Sequence, residues 1–421
     1  MRYSCLLFLI QYIDEGMVPM DYRFLLSLAI ILLSTKVFGL ISQRVQLPSV
    51  VGALLAGLLL GPTCLNMVVE TDFLLKTSEL GVIFLMFLAG LDTDLKELKK
   101  TGLTSLFIAA CGVVVPLIGG SLCYKLFFPQ ATGDAMLRAV FVGVVLAATS
   151  VSITVETLRE LGRLRGKVGT AILGAAVIDD ILGIVVLTIL TSFTDPSVKP
   201  LMVVGRIIGF FVLLALVGFV VYRLFQKLGK AYYNHRRIAI YGLVFCLLLS
   251  YAAEHFFGIA DITGAYFAGL ILCNIAEAQP YIARKINIAS YMLFSPVFFA
   301  SVGIETDLHG FTFSLFAFAV ALTLTAIATK VVGCGLGAKL CKFSAHDALA
   351  VGVGMISRGE VALIVAQKGE QAGLVDASLF PAVVAMVIVT TLITPVLLKL
   401  VMGRSPLPAP DEPTLTVKSG D

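Results

Sequence analysis

The amino-acid sequence predicts an all-α polytopic membrane protein of about 13 transmembrane helices, arranged as two inverted six-helix repeats with crossed broken helices. The first reason is composition: 58% of the 421 residues are hydrophobic and 14% are charged, whereas a soluble domain carries about 25% charged residues. The second reason is a series of apolar runs, and the third is a repeated pair of motifs. Together they exclude an ordinary soluble domain.

The apolar runs are the basis of the helix prediction. A membrane-spanning helix needs about 20 mostly apolar residues. The second run is short and rich in glycine, which is typical of a helix packed among other helices. The predicted helices cover residues 24–42, 48–61, 78–93, 103–127, 136–157, 168–192, 201–225, 238–256, 260–277, 288–305, 312–337, 347–367 and 378–402.

The two ends of the chain lie outside this membrane domain of residues 24–402. Residues 1–23 are predicted as an N-terminal extension, because the apolar run from Tyr3 to Ile13 is too short to span. It is either a weak signal peptide or an untranslated stretch before a later start at Met20. Residues 403–421 are polar and rich in proline, which predicts a disordered cytoplasmic tail.

The loops between the runs alternate between rich and poor in basic residues. The rich set includes residues 96–100, 159–167 and 223–237. Since basic loops stay in the cytoplasm, the N-terminus is predicted outside and the C-terminus in the cytoplasm. That orientation needs an odd number of spans, which agrees with 13.

Two motifs occur twice at nearly constant spacing. Residues 52–60 resemble residues 264–272, and Gly90–Leu95 resembles Gly303–Leu308, at offsets of 212 and 213 residues. The copies are seven predicted helices apart, so the two repeats must have opposite orientation. Inverted repeats are a transporter architecture with the binding site near the bilayer midplane. The predicted parts are repeat one at 24–192, a linker helix at 201–225 and repeat two at 238–402.

Two adjacent carboxylates, Asp179 and Asp180, lie in the middle of the sixth run. A charge at the bilayer centre costs from roughly 3 to more than 10 kcal/mol. A helix end in water does not explain them, because apolar residues flank the pair on both sides. We interpret the pair as an ion- or proton-binding site.

Polar groups also interrupt the fifth and twelfth runs. Thr149 and Ser150 lie in a hydroxyl-rich stretch of the fifth, and Arg358 and Glu360 lie in a glycine-rich stretch of the twelfth. Both stretches predict helix breaks, which expose carbonyls to cations and helix ends to charges. The alternative is that the hydroxyls bond back within a continuous helix.

Lys330 is a further charge at membrane depth, and a buried lysine needs a carboxylate partner. Adjacent helical residues point about 100° apart, so Asp179 and Asp180 cannot both serve it equally. One is predicted to pair with Lys330, and the other to face an aqueous cavity and bind a cation. Competition between a cation and a proton for one carboxylate gives exchange.

Other chemistry is disfavoured. The eight cysteines form no CxxC pair or Cys/His cluster, which argues against a resident metal or a disulfide framework. The Gly333–Gly337 segment follows no strand, so it does not predict a nucleotide cofactor. Carboxylates adjacent on one helix splay apart and do not suit an aspartyl protease. We therefore expect no enzyme, no cofactor and no nucleic-acid partner.

Taken together, these residues resemble the monovalent cation/proton antiporter superfamily, in the branch with NapA-type and Kef-type transporters. The resemblance covers about residues 24–402. Its most specific segments are Val177–Gly183, Thr149–Thr154, Leu158–Gly162 and Gly354–Glu360.

The resemblance implies a homodimer in the bacterial inner membrane that exchanges Na+, Li+ or K+ for H+. A six-helix core with two broken helices would move against a dimerisation domain. Asp180 would hold the transported Na+ or the proton, and Asp179 would pair with Lys330, as in electrogenic members. Thr149 and Ser150 would lie at the crossing. Arg358 and Glu360 would be structural charges of the core.

Three alternatives stay open. The first is a Kef-type K+/H+ efflux antiporter without its nucleotide-binding domain. The second is a sodium-coupled organic-acid symporter, which should show a roomy polar pocket beside the ion site. The third is a non-transporting sensor or scaffold, which would need no charge inside the membrane.

Overall fold

The computed structural model describes residues 22–403, except 46, 94, 130–134, 192–199, 232–236, 276–277, 306–312 and 372–378. Almost all of the predicted N-terminal extension and the predicted tail lie outside these residues. So do Asp94 and residues 306–308 of the repeated motif. Within the described ranges the secondary structure is helical and contains no strand.

The described chain forms sixteen α-helices and one π-helical turn, Ser290–Phe294. In order the helices are α1 (Arg23–Arg44), α2 (Ser49–Leu60), α3 (Asp72–Asp92), α4 (Leu95–Phe127), α5 (Ala135–Ala147), α6 (Val151–Glu160), α7 (Lys167–Thr191), α8 (Pro200–Ala231), α9 (Arg237–Phe257), α10 (Asp261–Leu272), α11 (Gln279–Ala289), α12 (Ser295–Ile304), α13 (Phe313–Leu340), α14 (Ala345–Gly354), α15 (Glu360–Gln371) and α16 (Phe380–Met402).

Ten helical stretches of the described chain are long and apolar enough to cross a membrane. Two of them are the successive pairs α5–α6 and α11–α12. The short apolar helices α2 and α10 are additional to these ten. A total of 13 spans would also need the pair α14–α15, so that count stays a prediction.

Several helices extend beyond the apolar runs that predicted them. The helix predicted at 103–127 begins at Leu95, and the one predicted at 288–305 is preceded by α11, which begins at Gln279. The added turns carry lysine and arginine, so they were not part of an apolar run. Such residues are favourable where a helix leaves the membrane and enters water. At the start of α3 the Thr71 hydroxyl accepts a hydrogen bond from Leu74 N, 3.3 Å away, and caps the helix.

The helices pack in two groups. In the core group, α4 packs against α5, α7 and α13, and α13 packs against α14 and α16. In the scaffold group, α3 packs against α10 and α12, and α2 packs against α1 and α12. The core group also includes α6, which packs against α7 and α16, and the two groups meet where α6 contacts α2 and α3 and where α16 contacts α2. The helix α8 contacts α7, α9 and α10.

Glycines bring the scaffold helices into backbone contact. A Cβ on Gly90 of α3 would lie 2.1 Å from the Tyr266 carbonyl oxygen of α10. In return, a Cβ on Gly269 of α10 would lie 2.2 Å from the Phe87 carbonyl oxygen of α3. No larger side chain fits at either position without moving a backbone. Such small-residue contacts hold membrane helices together by close packing.

Candidate ion-binding site

Two interrupted helices meet inside the core group. The first interruption lies between the end of α5 at Ala147 and the start of α6 at Val151, and the second between α14 and α15. The Ser150 amide donates a hydrogen bond to the Ser357 carbonyl oxygen at 2.8 Å. The Thr154 hydroxyl donates to the Gly354 carbonyl oxygen at 2.7 Å. The two interruptions therefore lie side by side.

The contact between the interruptions depends on a glycine and on small hydroxyl residues. A Cβ on Gly359 would lie 2.8 Å from Ser150 Oγ, so a side chain there would push the segments apart. Ser150 Oγ itself lies 3.3 Å from Ser152 Oγ. Thr149 is buried, with its hydroxyl 3.5 Å from the Ala147 carbonyl oxygen. The structure thus brings the predicted Thr149 and Ser150 to the meeting point.

Arg358 is fully buried and binds carbonyl oxygens from three segments. Its Nη1 donates to Met355 O at 3.2 Å and to Ile356 O. Its Nη2 donates to Leu146 O at 2.7 Å and to Ala326 O at 3.2 Å. The last turns of α5 and α14 leave carbonyls unsatisfied and carry the negative ends of the helix dipoles. The guanidinium group compensates both ends at once.

Glu360 is the first residue of α15. The start of a helix carries the positive end of its dipole, where an acidic residue is favourable. The described part of the structure does not include the side chain of Glu360.

Asp179 and Lys330 form a buried ion pair. Lys330 Nζ lies 3.0 Å from Asp179 Oδ1 and 3.1 Å from Oδ2. Asp179 comes from α7 and Lys330 from α13, and both side chains are almost completely shielded from solvent. A Cβ on Gly112 of α4 would lie 3.5 Å from Lys330 Nζ, so α4 packs directly against the pair.

Asp180 has a different environment, although it is the next residue of the same helix. It is only partly buried, and it lines a cavity of about 120 Å³. Asp179 also borders this cavity. The other lining residues are small or aliphatic: Val144, Ala148, Gly183, Ile184, Leu187, Ala260, Val361 and Val365. One carboxylate is therefore held by a lysine, while its neighbour lines the cavity.

Ser357 is a candidate residue that the sequence interpretation did not single out. It is completely buried at the meeting point, and its hydroxyl has no hydrogen-bond partner among the described residues. A buried polar atom without a partner costs free energy unless a water or an ion satisfies it. The signal in the sequence was a hydroxyl residue inside the glycine-rich interruption.

A second, larger cavity does not contain the aspartates. It measures about 300 Å³ and lies between α1, α2, α6 and the π-helical turn. Its polar lining includes Lys36, Ser49, Glu156, Glu160 and Tyr291. Lys36 Nζ donates to the Tyr291 hydroxyl at 3.0 Å. The smaller cavity is the candidate ion site, because the buried Asp179 and residues next to both helix interruptions, Ala148 and Val361, line it.

The fold and the buried charges define a multi-pass membrane protein of the secondary-transporter type, with charges set at interrupted helices. The chain belongs to the family described as sodium/hydrogen exchanger, transmembrane, whose model matches residues 28–403. This is a family of transporters rather than of enzymes. The predicted resemblance to the monovalent cation/proton antiporter superfamily is confirmed.

Relatives of known name agree with this family. The chain is similar to the Na+/H+-K+ antiporter GerN of Bacillus cereus, with 39% identity over 91% of this chain and 97% of the relative. It is also similar to a Na+/H+ antiporter of Enterococcus hirae, with 40% identity over 90% and 97%. In fold it resembles the sodium proton antiporter MjNhaP1 of Methanocaldococcus jannaschii, with a TM-score of 0.65, 17% identity and coverage of 88% and 94%.

Proposed function

We propose that this chain is an electrogenic antiporter that exchanges Na+ or Li+ for H+ across a bacterial cytoplasmic membrane. The observation that carries this proposal is the difference between the two adjacent carboxylates. Asp179 is neutralised by Lys330 at 3.0 Å, while Asp180 faces a cavity. Exchange needs a carboxylate that a cation and a proton can both reach, as one lining a cavity can be. The names of the relatives support Na+/H+ antiport.

In the proposed mechanism Asp180 holds either a cation or a proton, never both. The deprotonated carboxylate binds Na+ electrostatically, and protonation removes that attraction and releases the ion. Hydroxyl and carbonyl oxygens, which hard cations prefer as ligands, would come from Thr149, which follows the cavity-lining Ala148, and from Ser150 and Ser357 at the meeting point of the interrupted helices. Electrogenic exchange needs a second proton for each cation, and we assign it to the Asp179–Lys330 pair.

The proposed movement is an elevator-type step of the core group against the scaffold group. The polar site then stays inside the core and alternates between the two sides of the membrane. We further propose that the protein is a homodimer through its scaffold, with the N-terminus outside and the C-terminus in the cytoplasm. The distribution of basic loops supports this orientation.

K+ is the second candidate ion, because the relative GerN is named as a Na+/H+-K+ antiporter. A Kef-type K+/H+ efflux system would use the same site. A symporter for an organic acid fits less well. Pockets for organic ligands usually measure about 300–1,000 Å³, whereas the cavity at Asp180 measures about 120 Å³ and is mostly aliphatic.

The test is cation-driven proton flux in proteoliposomes, with Na+, Li+ and K+ supplied in turn. We expect flux in the wild type and none in Asp180→Asn, which keeps the shape of the side chain but cannot exchange a proton. The matched control is Asp347→Asn, a half-buried acid in the first turn of α14 that should keep wild-type flux. Absence of flux with every cation from pH 6 to 9 would refute antiport.

A further inference from the structure

Two polar contacts join the core group to the scaffold group at one face of the molecule. Glu160, the last residue of α6, accepts hydrogen bonds from the Ser49 amide at 2.7 Å and from the Ser49 hydroxyl. Arg165, in the turn before α7, lies 2.5 Å from Asp92 at the end of α3. Both contacts therefore bridge the surface along which the two groups would have to slide.

Both contacts lie at the face where α1, α3 and α6 end, which we call the basic face. The helix ends and the turn at this face carry the basic residues of positions 96–100 and 159–167. The lining of the Asp180 cavity extends in the other direction. It follows α7 beyond Asp180 to Leu187, and it reaches Ala260 just before the start of α10, at the opposite face.

The Ser49–Glu160 contact is the stronger of the two. Ser49 is the first residue of α2, so Glu160 sits at a helix N-terminus, where free amides and the dipole favour an anion. A hydrogen bond to a charged acceptor is stronger than one between neutral groups. The Asp92–Arg165 pair is weaker, because the Arg165 side chain is 66% exposed and water screens it.

The surroundings allow the Ser49–Glu160 contact to open. Both residues line the cavity of about 300 Å³ between α1, α2 and α6, so the contact borders a void rather than a dry core. Water entering that cavity can replace the broken hydrogen bonds, which keeps the cost of separation small. A contact buried in apolar packing would not be reversible in this way.

We propose that Ser49–Glu160, assisted by Asp92–Arg165, is a clasp that closes the basic face while Asp180 is open to the opposite face. The clasp must break before the core group can present Asp180 to the basic face. This inference rests on the proposed antiport and names the residues that regulate its conformational step. Weakening the clasp shifts the population towards the form that is open at the basic face.

The experiment measures from which face the Asp180 cavity can be reached. The reporter is Ala148→Cys, which lines that cavity. A membrane-impermeant thiol reagent is applied to sealed vesicles of either orientation, and labelling at position 148 is read by peptide mass spectrometry. Reading one peptide separates the reporter from the native cysteines.

We expect the full-length reporter protein to be labelled faster from the opposite face. Glu160→Gln should lower the ratio of the two rates about tenfold, which is the usual size of a lost hydrogen bond to a charged group. Ser49→Ala should act in the same direction. The control Glu79→Gln breaks an exposed ion pair within α3, between Lys76 and Glu79, and should leave the ratio unchanged.

A disulfide tests the clasp in the closed form. Oxidised Ser49→Cys/Glu160→Cys should lose cation-driven proton flux, and a reductant should restore it. An unchanged labelling ratio in both Glu160→Gln and Ser49→Ala would overturn the clasp, even if the wild type shows flux. A shifted ratio in a protein whose wild type shows no flux would overturn the antiport and leave the clasp standing.

Discussion

Replacing Lys330 with methionine tests whether the buried ion pair holds the core together. Methionine keeps most of the length of the side chain and removes its charge. For unit charges 3.0 Å apart, an effective dielectric constant of about 20 gives an attraction of about 5.5 kcal/mol. Breaking a buried pair by removing one partner costs about 3–5 kcal/mol. We therefore expect Lys330→Met to lower the free energy of unfolding by about 4 kcal/mol.

The assay follows the reaction of Cys246 with a thiol reagent during heating or denaturant titration in detergent. The chain has no tryptophan to report unfolding. Cys246 is completely buried in α9, which packs against α10 of the scaffold group, so it reacts only after unfolding. The control is Lys76→Met, whose exposed pair with Glu79 should contribute less than about 1 kcal/mol.

A double variant separates the loss of the pair from the loss of packing. Asp179→Asn/Lys330→Met leaves no uncompensated charge, so most of the lost stability should return. If Lys330→Met were as stable as the wild type, the two side chains would not be an energetically coupled pair. If the double variant were as unstable as the single one, packing rather than charge would explain the effect.

Three further predictions concern the meeting point of the interrupted helices. Arg358→Lys keeps the charge but loses the planar guanidinium group that binds several carbonyl oxygens. The same labelling assay should therefore show a free energy of unfolding lower by about 2–3 kcal/mol. An unchanged stability would contradict the role of Arg358 at the helix ends. Gly359→Ala places a Cβ 2.8 Å from Ser150 Oγ, so it should push the two interruptions apart and lower ion-driven flux about tenfold. The control Gly205→Ala, whose Cβ would have open space around it, should keep the wild-type flux. Ser357→Ala should raise the KM for Na+ with little effect on stability, and an unchanged KM would exclude this hydroxyl as an ion ligand.

The approximate positions of the apolar helices could be predicted from the sequence, because burial in a bilayer demands long apolar runs. The predicted span 168–192 corresponds to α7, Lys167–Thr191. The stretches around Ser150 and Arg358 were predicted as breaks, and the helices are interrupted there. Helix ends were less predictable, since α4 continues through the lysines before residue 103 as a helix in contact with water.

The partners of the buried charges could not be derived from spacing alone. Asp179 and Asp180 point about 100° apart around the helix axis, which predicts different environments for them. The angle does not predict which of the two contacts Lys330. That choice depends on how α7 is rotated against α13. The partners of Arg358 were even less predictable, because its carbonyl partners include Leu146 and Ala326 from distant parts of the chain. Only the packed fold brings these groups together.

The glycine contact between α3 and α10 bears on how the protein is made. Gly90 and Gly269 lie far apart in the sequence, and the packing of α4 against α13 and of α2 against α12 likewise joins early helices to late ones. Each of these contacts can form only after the later helix has left the ribosome and entered the bilayer. During synthesis the contact surfaces of the early helices are therefore exposed until the later helices have been inserted. The backbone contacts that later make the scaffold stiff are among the last to be completed.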